Sequence, residues 1–76
     1  MTALKWRHVG KNKRVADGRY PDWWYELVRE DYITTGTYWT AWFCETGVGR
    51  SHRLANLVNF NQARAAAIKH HNHLGY

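Results

Sequence analysis

Two segments near the middle of the chain have the composition and alternation of β-strands. They are "DWWYELVRE", which begins at Asp22, and "YWTAWFCE", which begins at Tyr38. Both are rich in residues that favour strands. Between them, "DYITTGT" contains a glycine and turn-forming polar residues, so we predict two antiparallel strands joined by a turn. A "GVG" segment then leads into "RSHRLANLV", which we predict to be a third strand of a meander over residues 22–58.

The N-terminal region has a weaker alternation, which is typical of a short hairpin. The segments "KWRHV" and "KRVAD" flank "GKN", and a glycine in a short connection suits a hairpin turn. We therefore predict a hairpin over residues 5–17. Its strands are short and carry many basic residues, which makes the hairpin a candidate for contact with nucleic acid or with an acidic protein surface.

After Val58 the spacing of apolar residues changes to that of a helix. Apolar positions recur at intervals of three and four, and "ARAAAIK" has high intrinsic helix propensity. We predict a helix over residues 60–74. Its apolar face is predicted to contain Phe60, Ala63, Ala67, His70 or His71, and Leu74.

Both ends of this helix carry capping signals. Asn59 stands before the first turn and Gln62 follows three residues later, which predicts a capping box that satisfies free backbone N–H groups. Histidines lie near the C-terminal end, where positive charge favours the helix dipole. Gly75 is suited to the left-handed capping conformation. We expect one of the histidines to lie over the sheet.

Strands followed by one amphipathic helix predict an α+β fold, with a three- to five-stranded antiparallel sheet and one C-terminal helix packed on one face. The 76 residues contain one proline and no linker or repeat, so residues 1–76 are predicted to form a single domain. Side chains alternate across a strand. The more apolar face, which we predict to meet the helix, contains Trp23, Tyr25, Leu27, Trp39, Ala41 and Phe43.

The same alternation places further aromatic residues on the other face of the sheet. A tryptophan left in water forgoes roughly 2–5 kcal/mol of transfer free energy, so this face needs a cover. Three alternatives could bury it: the N-terminal hairpin with Trp6 and Val9, a binding partner, or a second copy of the chain in a homodimer. This face is predicted to contain Trp24, Val28, Tyr38 and Trp42 with Glu26 and Glu30 between them. The partner hypothesis takes Trp24, Glu26, Tyr38 and Trp42 as the contact residues.

The chain is basic, with 11 Lys and Arg against six Asp and Glu and a formal net charge of +5. The basic residues are concentrated in the predicted hairpin and again after the second strand of the meander. They are candidates for contact with nucleic acid or with an acidic protein surface. The alternative is a solvated face without a specific role. The candidate contacts are Lys5, Arg7, Lys11, Lys13, Arg14, Arg50 and Arg53.

Residues suited to catalysis or metal binding are few. His70 and His73 are three apart on the predicted helix, but a zinc site needs further ligands. The sequence would supply them only from His8, His52 or Cys44. Cys44 is the only cysteine, which excludes a Cys-rich zinc motif and an intrachain disulfide. "GVGRS" lacks the lysine of a phosphate-binding loop. We expect no catalytic residues, no metal and no cofactor.

No segment has the apolar length of a signal peptide or of a membrane span, which takes about 20 residues. A chain with one cysteine also favours a reducing compartment. We therefore expect a soluble, cytoplasmic protein that does not bind membranes.

The segment "RLANLVNFNQARAAAIKHH" resembles the end of small proteins common in phages and prophages. Those proteins have a short antiparallel sheet ending in a Leu-Gly-x-Phe-like strand, then a Thr or Ser cap and an Ala- and Lys-rich helix that ends near a histidine. The resemblance covers about half of the chain and implies a phage or mobile-element protein that acts in a bacterial host cell. The matching positions are Leu54, Ala55 and Leu57 in the strand, Asn59 at the cap, and Ala63, Arg64, Ala66, Ala67 and His70 in the helix.

The order of three strands and one helix is also similar to the plant ethylene-response-factor DNA-binding domain and to the arm-site-binding domain of tyrosine integrases. That similarity implies reading of the DNA major groove by basic and aromatic residues on the open sheet face. Here that face is predicted to carry Glu26 and Glu30 and no Lys or Arg at the strand centres. Carboxylates next to phosphates would cost affinity, so DNA reading by the sheet is disfavoured.

In size, composition and implied origin the chain also resembles phage inhibitors of bacterial defence systems. These include the anti-CRISPR proteins, which commonly bind a large host complex and block it. We therefore expect a non-enzymatic interaction protein that binds and modulates or inhibits a host protein or nucleoprotein complex, such as a CRISPR-Cas system. The alternative expectation is a small double-stranded DNA-binding module, similar to an integrase arm-binding domain or a transcriptional regulator.

Overall fold

The computed structural model describes residues 4–74, with side chains described for residues 4–73. It confirms the predicted α+β fold, because five antiparallel strands form one sheet and a C-terminal helix packs on one of its faces. The strands follow one another in chain order, so each pairs with its neighbour in sequence. They are β1 (Arg7–His8), β2 (Lys13–Asp17), β3 (Trp23–Tyr32), β4 (Gly36–Glu45) and β5 (Gly49–Val58), and the helix α1 spans Phe60–Leu74.

The centre of the sheet is the long hairpin of β3 and β4. These strands pair in continuous register from Trp23 opposite Glu45 to Tyr32 opposite Gly36. Gly36 has a φ of 98°, a left-handed conformation that glycine adopts without a steric cost, and it closes the turn. The pairing of β4 with β5 is less regular, because register shifts interrupt it between Trp39 and Cys44.

The N-terminal hairpin extends the sheet at its edge and does not fold over the face opposite α1. β2 pairs with β3 in the plane of the sheet, with Val15 opposite Glu26, and β1 pairs with β2. Trp6 packs against the core on the helix side, and Val9 is exposed. The hypothesis that the hairpin covers the second aromatic face is therefore wrong for residues 4–17.

The core lies between the sheet and α1 and contains the residues predicted for it. The aromatic and aliphatic side chains come from alternating positions of β3 and β4, and the helix contributes alanines, which allow close approach of its backbone to the sheet. Trp23 and Phe60 are half-buried at the edge of this cluster. The buried members are Tyr25, Leu27, Trp39, Ala41, Phe43, Ala63 and Ala67.

The start of α1 has the predicted capping box. The backbone N–H of Gln62 donates to Asn59 Oδ1 at 2.8 Å, and the backbone N–H of Asn59 donates to Gln62 Oε1 at 3.3 Å. This exchange satisfies donors that the first helical turn leaves free. At the other end, the predicted cap at Gly75 and the predicted core contact of the Leu74 side chain lie outside the described residues.

Two histidines near the end of α1 pack against the sheet, where one was predicted. Tyr25 Oη and His70 Nδ1 are 2.8 Å apart, and the ring of His71 lies 6.0 Å from that of Tyr25. Burial lowers the pKa of His70, and the charges of neighbouring histidines lower it further. Burial also raises the pKa of Tyr25 to about 12. At neutral pH the Tyr25 hydroxyl therefore keeps its proton, and Tyr25 Oη and His70 Nδ1 share a hydrogen bond that ties α1 to β3.

Candidate functional site

The sheet face opposite α1 carries the second set of aromatic residues, and no other element of residues 4–74 lies over it. We call it the open face and define it by Trp24, Glu26, Val28, Glu30, Tyr38, Thr40, Trp42, Arg50, Arg53 and Leu57. Trp24 and Trp42 are half-buried by side chains of this same face. The predicted division of β3 and β4 into two faces is thus confirmed, and the outer rings remain partly accessible.

Glu26 lies at the centre of the open face but is not available to a partner. It is only 8% exposed, because it accepts hydrogen bonds from Trp24 Nε1 at 2.8 Å and from Arg50 Nε at 3.1 Å. Lys13 Nζ lies 3.9 Å from the same carboxylate. Its predicted role as a contact residue is therefore corrected to a structural one, in which it orients the Trp24 indole and the Arg50 guanidinium.

The pKa of Glu26 reflects the same contacts. Burial alone would raise the pKa of this carboxyl. The hydrogen bonds from Trp24 and Arg50, together with the positive charges of Lys13 and Arg50, outweigh burial and lower the pKa below its ordinary value. Glu26 is therefore ionised at neutral pH, and its charge is compensated within the protein.

Two arginines of β5 lie over Trp42. Their guanidinium carbons are 5.5 Å (Arg50) and 5.8 Å (Arg53) from the Trp42 ring centroid, within the range of cation–π attraction. The expectation that no Lys or Arg lies at the strand centres of this face is wrong, since Arg53 lies in the middle of β5 on this face. Arg50, near the start of β5, joins it because a register shift in β5 moves residues from one face to the other. Lys13 lies on the same face at the start of β2.

Leu57, near the end of β5, has a strained backbone. Its φ of 54° is left-handed, which costs a residue other than glycine about 1–2 kcal/mol. Its N–H donates to Thr40 Oγ1 at 3.4 Å, and the Thr40 hydroxyl donates to Glu30 Oε2 at 3.1 Å. The strained turn therefore holds the Leu57 side chain on the open face, at 38% exposure, and fixes Glu30 across from it. Strain of this kind is concentrated at functional sites.

These residues enclose a groove of about 350 Å³ on the open face. Val28, Trp42 and Leu57 supply its apolar surface. Glu30 borders it from β3 and Arg53 borders it from β5, with β4 between them. The groove therefore combines an apolar floor with opposite charges on its two sides, and no sequence pattern indicated it.

An exposed apolar tip continues from the groove. Ile33, in the turn between β3 and β4, is fully exposed, and Tyr32 beside it is 43% exposed and lines the groove. The rings of Tyr32 and Tyr38 lie 5.9 Å apart, and the Tyr38 hydroxyl donates to the Thr35 carbonyl oxygen at 2.8 Å. Tyr38, a predicted contact residue, thus supports the tip.

The basic residues of the N-terminal hairpin do not form one patch. Arg7 is paired with Asp17 at 3.1 Å, and Lys13 faces Glu26. Arg14 lies on the helix side, with its guanidinium carbon 5.3 Å from the Trp39 ring centroid. Lys5 and Lys11 are exposed. Of the predicted basic set, Lys13, Arg50 and Arg53 are brought together on the open face.

Cys44 does not have the environment of a nucleophile. It is fully buried beneath the open face, and burial, followed by the charge of Glu26, raises its pKa to about 12. The thiol is therefore protonated at neutral pH, whereas a nucleophilic cysteine needs a thiolate. Within residues 4–74, no three side chains of His, Cys, Asp or Glu are grouped to hold a metal ion. The helix in the same range is too short and too polar to cross a membrane.

No protein family model, curated protein or solved structure matches this chain. The functional interpretation therefore rests on the geometry of the open face.

Replacing Glu26 with glutamine should lower the free energy of unfolding by about 1–3 kcal/mol at pH 7, because one charge-assisted acceptor is lost while Trp24 and Arg50 stay in place. Because the pKa of Glu26 is lower in the folded protein, its ionised carboxylate stabilises the fold at pH values above the unfolded-state pKa of about 4.3. This stabilisation is lost as the pH falls through the folded-state pKa. Urea titrations at pH 7 and pH 3 should therefore show a difference between wild type and Glu26→Gln that shrinks at acid pH. Glu30→Gln, at an exposed carboxylate, is the control and should cost less than about 0.5 kcal/mol.

Proposed function

We propose that this protein is a non-enzymatic interaction module that binds another protein through the open face. The observation that carries the proposal is the groove with its exposed tip: an apolar surface with Trp42 in its floor that residues 4–74 leave uncovered. Trp, Tyr and Arg are the residues most enriched at the energetic centres of protein interfaces. The open face presents all three side by side.

The exposed tip favours a protein partner over a polyanion. A fully exposed isoleucine beside Tyr32 gains free energy when an apolar surface covers it, at roughly 25 cal/mol for each Å² buried. Phosphates offer no such surface. Glu30, which makes no ion pair with any cation of the described chain, would also repel phosphates at the edge of the groove.

The identity of the partner is proposed from resemblance alone. The likeness of the C-terminal segment to small phage and prophage proteins suggests a bacterial host cell, in which the open face would bind and modulate or inhibit a host complex. A defence complex such as a CRISPR-Cas system is the proposed target.

Duplex DNA is a second candidate, and a specific observation favours it. Lys13, Arg50 and Arg53 lie on the same face as Trp24 and Trp42, and Glu26 is compensated, which removes the main objection drawn from the sequence. Sheet-borne DNA recognition uses basic and aromatic residues in this way. Against it, Arg7 is already paired with Asp17, and Arg14 lies on the helix side against Trp39.

Comparative capture tests the proposed function. The immobilised protein is incubated with nuclease-treated bacterial lysate as wild type, as Leu57→Glu on the open face, and as Ala65→Glu on the exposed side of α1. Both variants add one carboxylate at an accessible apolar position. We expect a protein that wild type and Ala65→Glu retain equally and that Leu57→Glu retains at least about tenfold less, a loss of about 1.4 kcal/mol. Its dissociation constant is then measured with the purified partner.

Two results would count against a protein partner. One is equal retention of every captured protein by Leu57→Glu. The other is tight binding of a 25-base-pair duplex whose affinity falls steeply with the logarithm of salt concentration and is lost when Lys13 and Arg53 of the open face are replaced by alanine. The second result would establish the DNA-binding alternative.

A further inference from the structure

From the groove we infer the chemistry of the partner segment, an inference that rests on the proposed function. We propose that the segment places one apolar side chain on Trp42, with an acidic residue on one side of it to pair with Arg53 and a basic residue on the other side to pair with Glu30. The groove therefore selects a partner segment by opposite charges on the two sides of one apolar residue, which we call the anchor. It does not bind acidic peptides in general.

The apolar part of the site is formed before any partner binds. Arg50 and Arg53 hold the Trp42 ring from β5, and Arg50 is itself fixed by its hydrogen bond to Glu26. On the other side, the backbone of Leu57 is held by Thr40. A volume of about 350 Å³ is at the small end of the range of ligand pockets, which suits one large side chain with its neighbours. A preformed site loses less entropy on binding.

Arg53 is the cation of the site that is free to pair. Arg50 is bound to Glu26 at 3.1 Å, whereas Arg53 has no carboxylate within ion-pair distance in residues 4–74. Its guanidinium is exposed and presents donors suited to a carboxylate. An acidic side chain of the partner at this position would complete the site.

Glu30 supplies the negative charge of the site. Its carboxylate is oriented by the Thr40 hydroxyl and is exposed, so it accepts a further hydrogen bond from a cation. β3 and β5 are two strand spacings apart, about 10 Å. Along the strands, the Glu30 carboxylate lies against Thr40 and the Arg53 guanidinium lies over Trp42, two residues further along β4, or about 7 Å. The two charges are therefore about 12 Å apart on the diagonal. At about 3.3 Å for each residue of an extended segment, the acidic and basic residues should stand three or four positions apart with the anchor between them.

A displayed library of random twelve-residue peptides tests this inference. Wild-type protein should select peptides with an apolar residue flanked by Asp or Glu on one side and by Lys or Arg on the other. Arg53→Glu should bind a selected peptide at least tenfold more weakly than the wild-type protein does. When the acidic residue of that peptide is changed to lysine, Arg53→Glu should bind it more tightly than the wild-type protein does. Arg64→Glu, which makes the same charge change on the exposed side of α1, should bind within twofold of wild type.

The outcomes separate this inference from the proposed function. Selected peptides without the charge pattern, or equal binding by Arg53→Glu, would overturn the inference. If Leu57→Glu abolishes binding of those same peptides, the open face is still the docking surface. If Leu57→Glu binds them as wild type does, the proposed function fails as well. Sedimentation that shows a dimer dissociated by Leu57→Glu would assign the groove to a second copy of the chain and overturn the inference.

Discussion

Replacing Trp42 with alanine should weaken binding of the protein partner by about 30- to 1000-fold, which corresponds to about 2–4 kcal/mol. The ring forms the floor of the groove, and both guanidinium groups that border the groove are held against it. Its removal deletes the apolar contact and releases Arg50 and Arg53 at the same time. Isothermal titration with the purified partner measures the loss.

The domain should stay folded in Trp42→Ala, because the ring is half-buried on the side of the sheet away from the core. Far-ultraviolet circular dichroism and a urea midpoint verify this. Trp42→Phe is the conservative control, since it keeps a ring for the guanidinium groups and should lose less than half of that free energy. Binding by Trp42→Ala within twofold of wild type would show that the open face is not where the partner docks.

Replacing Phe43 with alanine should lower the free energy of unfolding by about 3–5 kcal/mol. Phe43 lies one residue from Trp42 but on the opposite face, where it is buried. Its ring contacts those of Tyr25 at 5.5 Å and His70 at 4.8 Å. A domain of this size has a free energy of unfolding of roughly 4–11 kcal/mol, so the variant should be partly or wholly unfolded at 37 °C.

Urea unfolding followed by tryptophan fluorescence measures this effect. Val48→Ala is the control, because Val48 is 66% exposed in the turn between β4 and β5 and should cost less than about 0.5 kcal/mol. The pair Trp42→Ala and Phe43→Ala therefore separates the two faces of β4, one affecting binding and the other stability. Equal and small stability losses in both would mean that the helix does not pack on the Phe43 face.

The fold was predictable because local signals agree along most of the chain. The helix was predicted over residues 60–74 and spans Phe60–Leu74, since its apolar spacing and its Asn59 and Gln62 capping pair indicate the same start. The two faces of β3 and β4 were also assigned correctly. Strict alternation holds there because these strands pair without a bulge.

The charge of the open face was not predictable, for a reason that lies in β5. Arg50 and Arg53 are an odd number of positions apart, so a regular strand would place them on opposite faces. A register shift leaves Arg50 opposite Cys44 and Arg53 opposite Trp42, which puts both on the open face. Bulges depend on packing between strands and leave little trace in one sequence.

Glu26 shows a second limit of the same kind. Alternation correctly placed it on the open face, where an exposed carboxylate would oppose a polyanion. Its burial comes from Trp24, Arg50 and Lys13, which lie on three different strands. Only the pairing of those strands reveals that the charge is compensated. The groove next to it was missed for the same reason, since β3, β4 and β5 all contribute to it.

Site-specific photo-crosslinking tests most directly whether the open face is the docking surface. A benzophenone amino acid is placed at Leu57 on the open face or at Arg64 on the exposed side of α1, and each protein is irradiated with the captured partner. We predict a crosslink to the partner from position 57 and none from position 64. A crosslink from position 64 alone, or a crosslink from position 57 only to a second copy of the chain, would contradict docking of a protein partner on the open face.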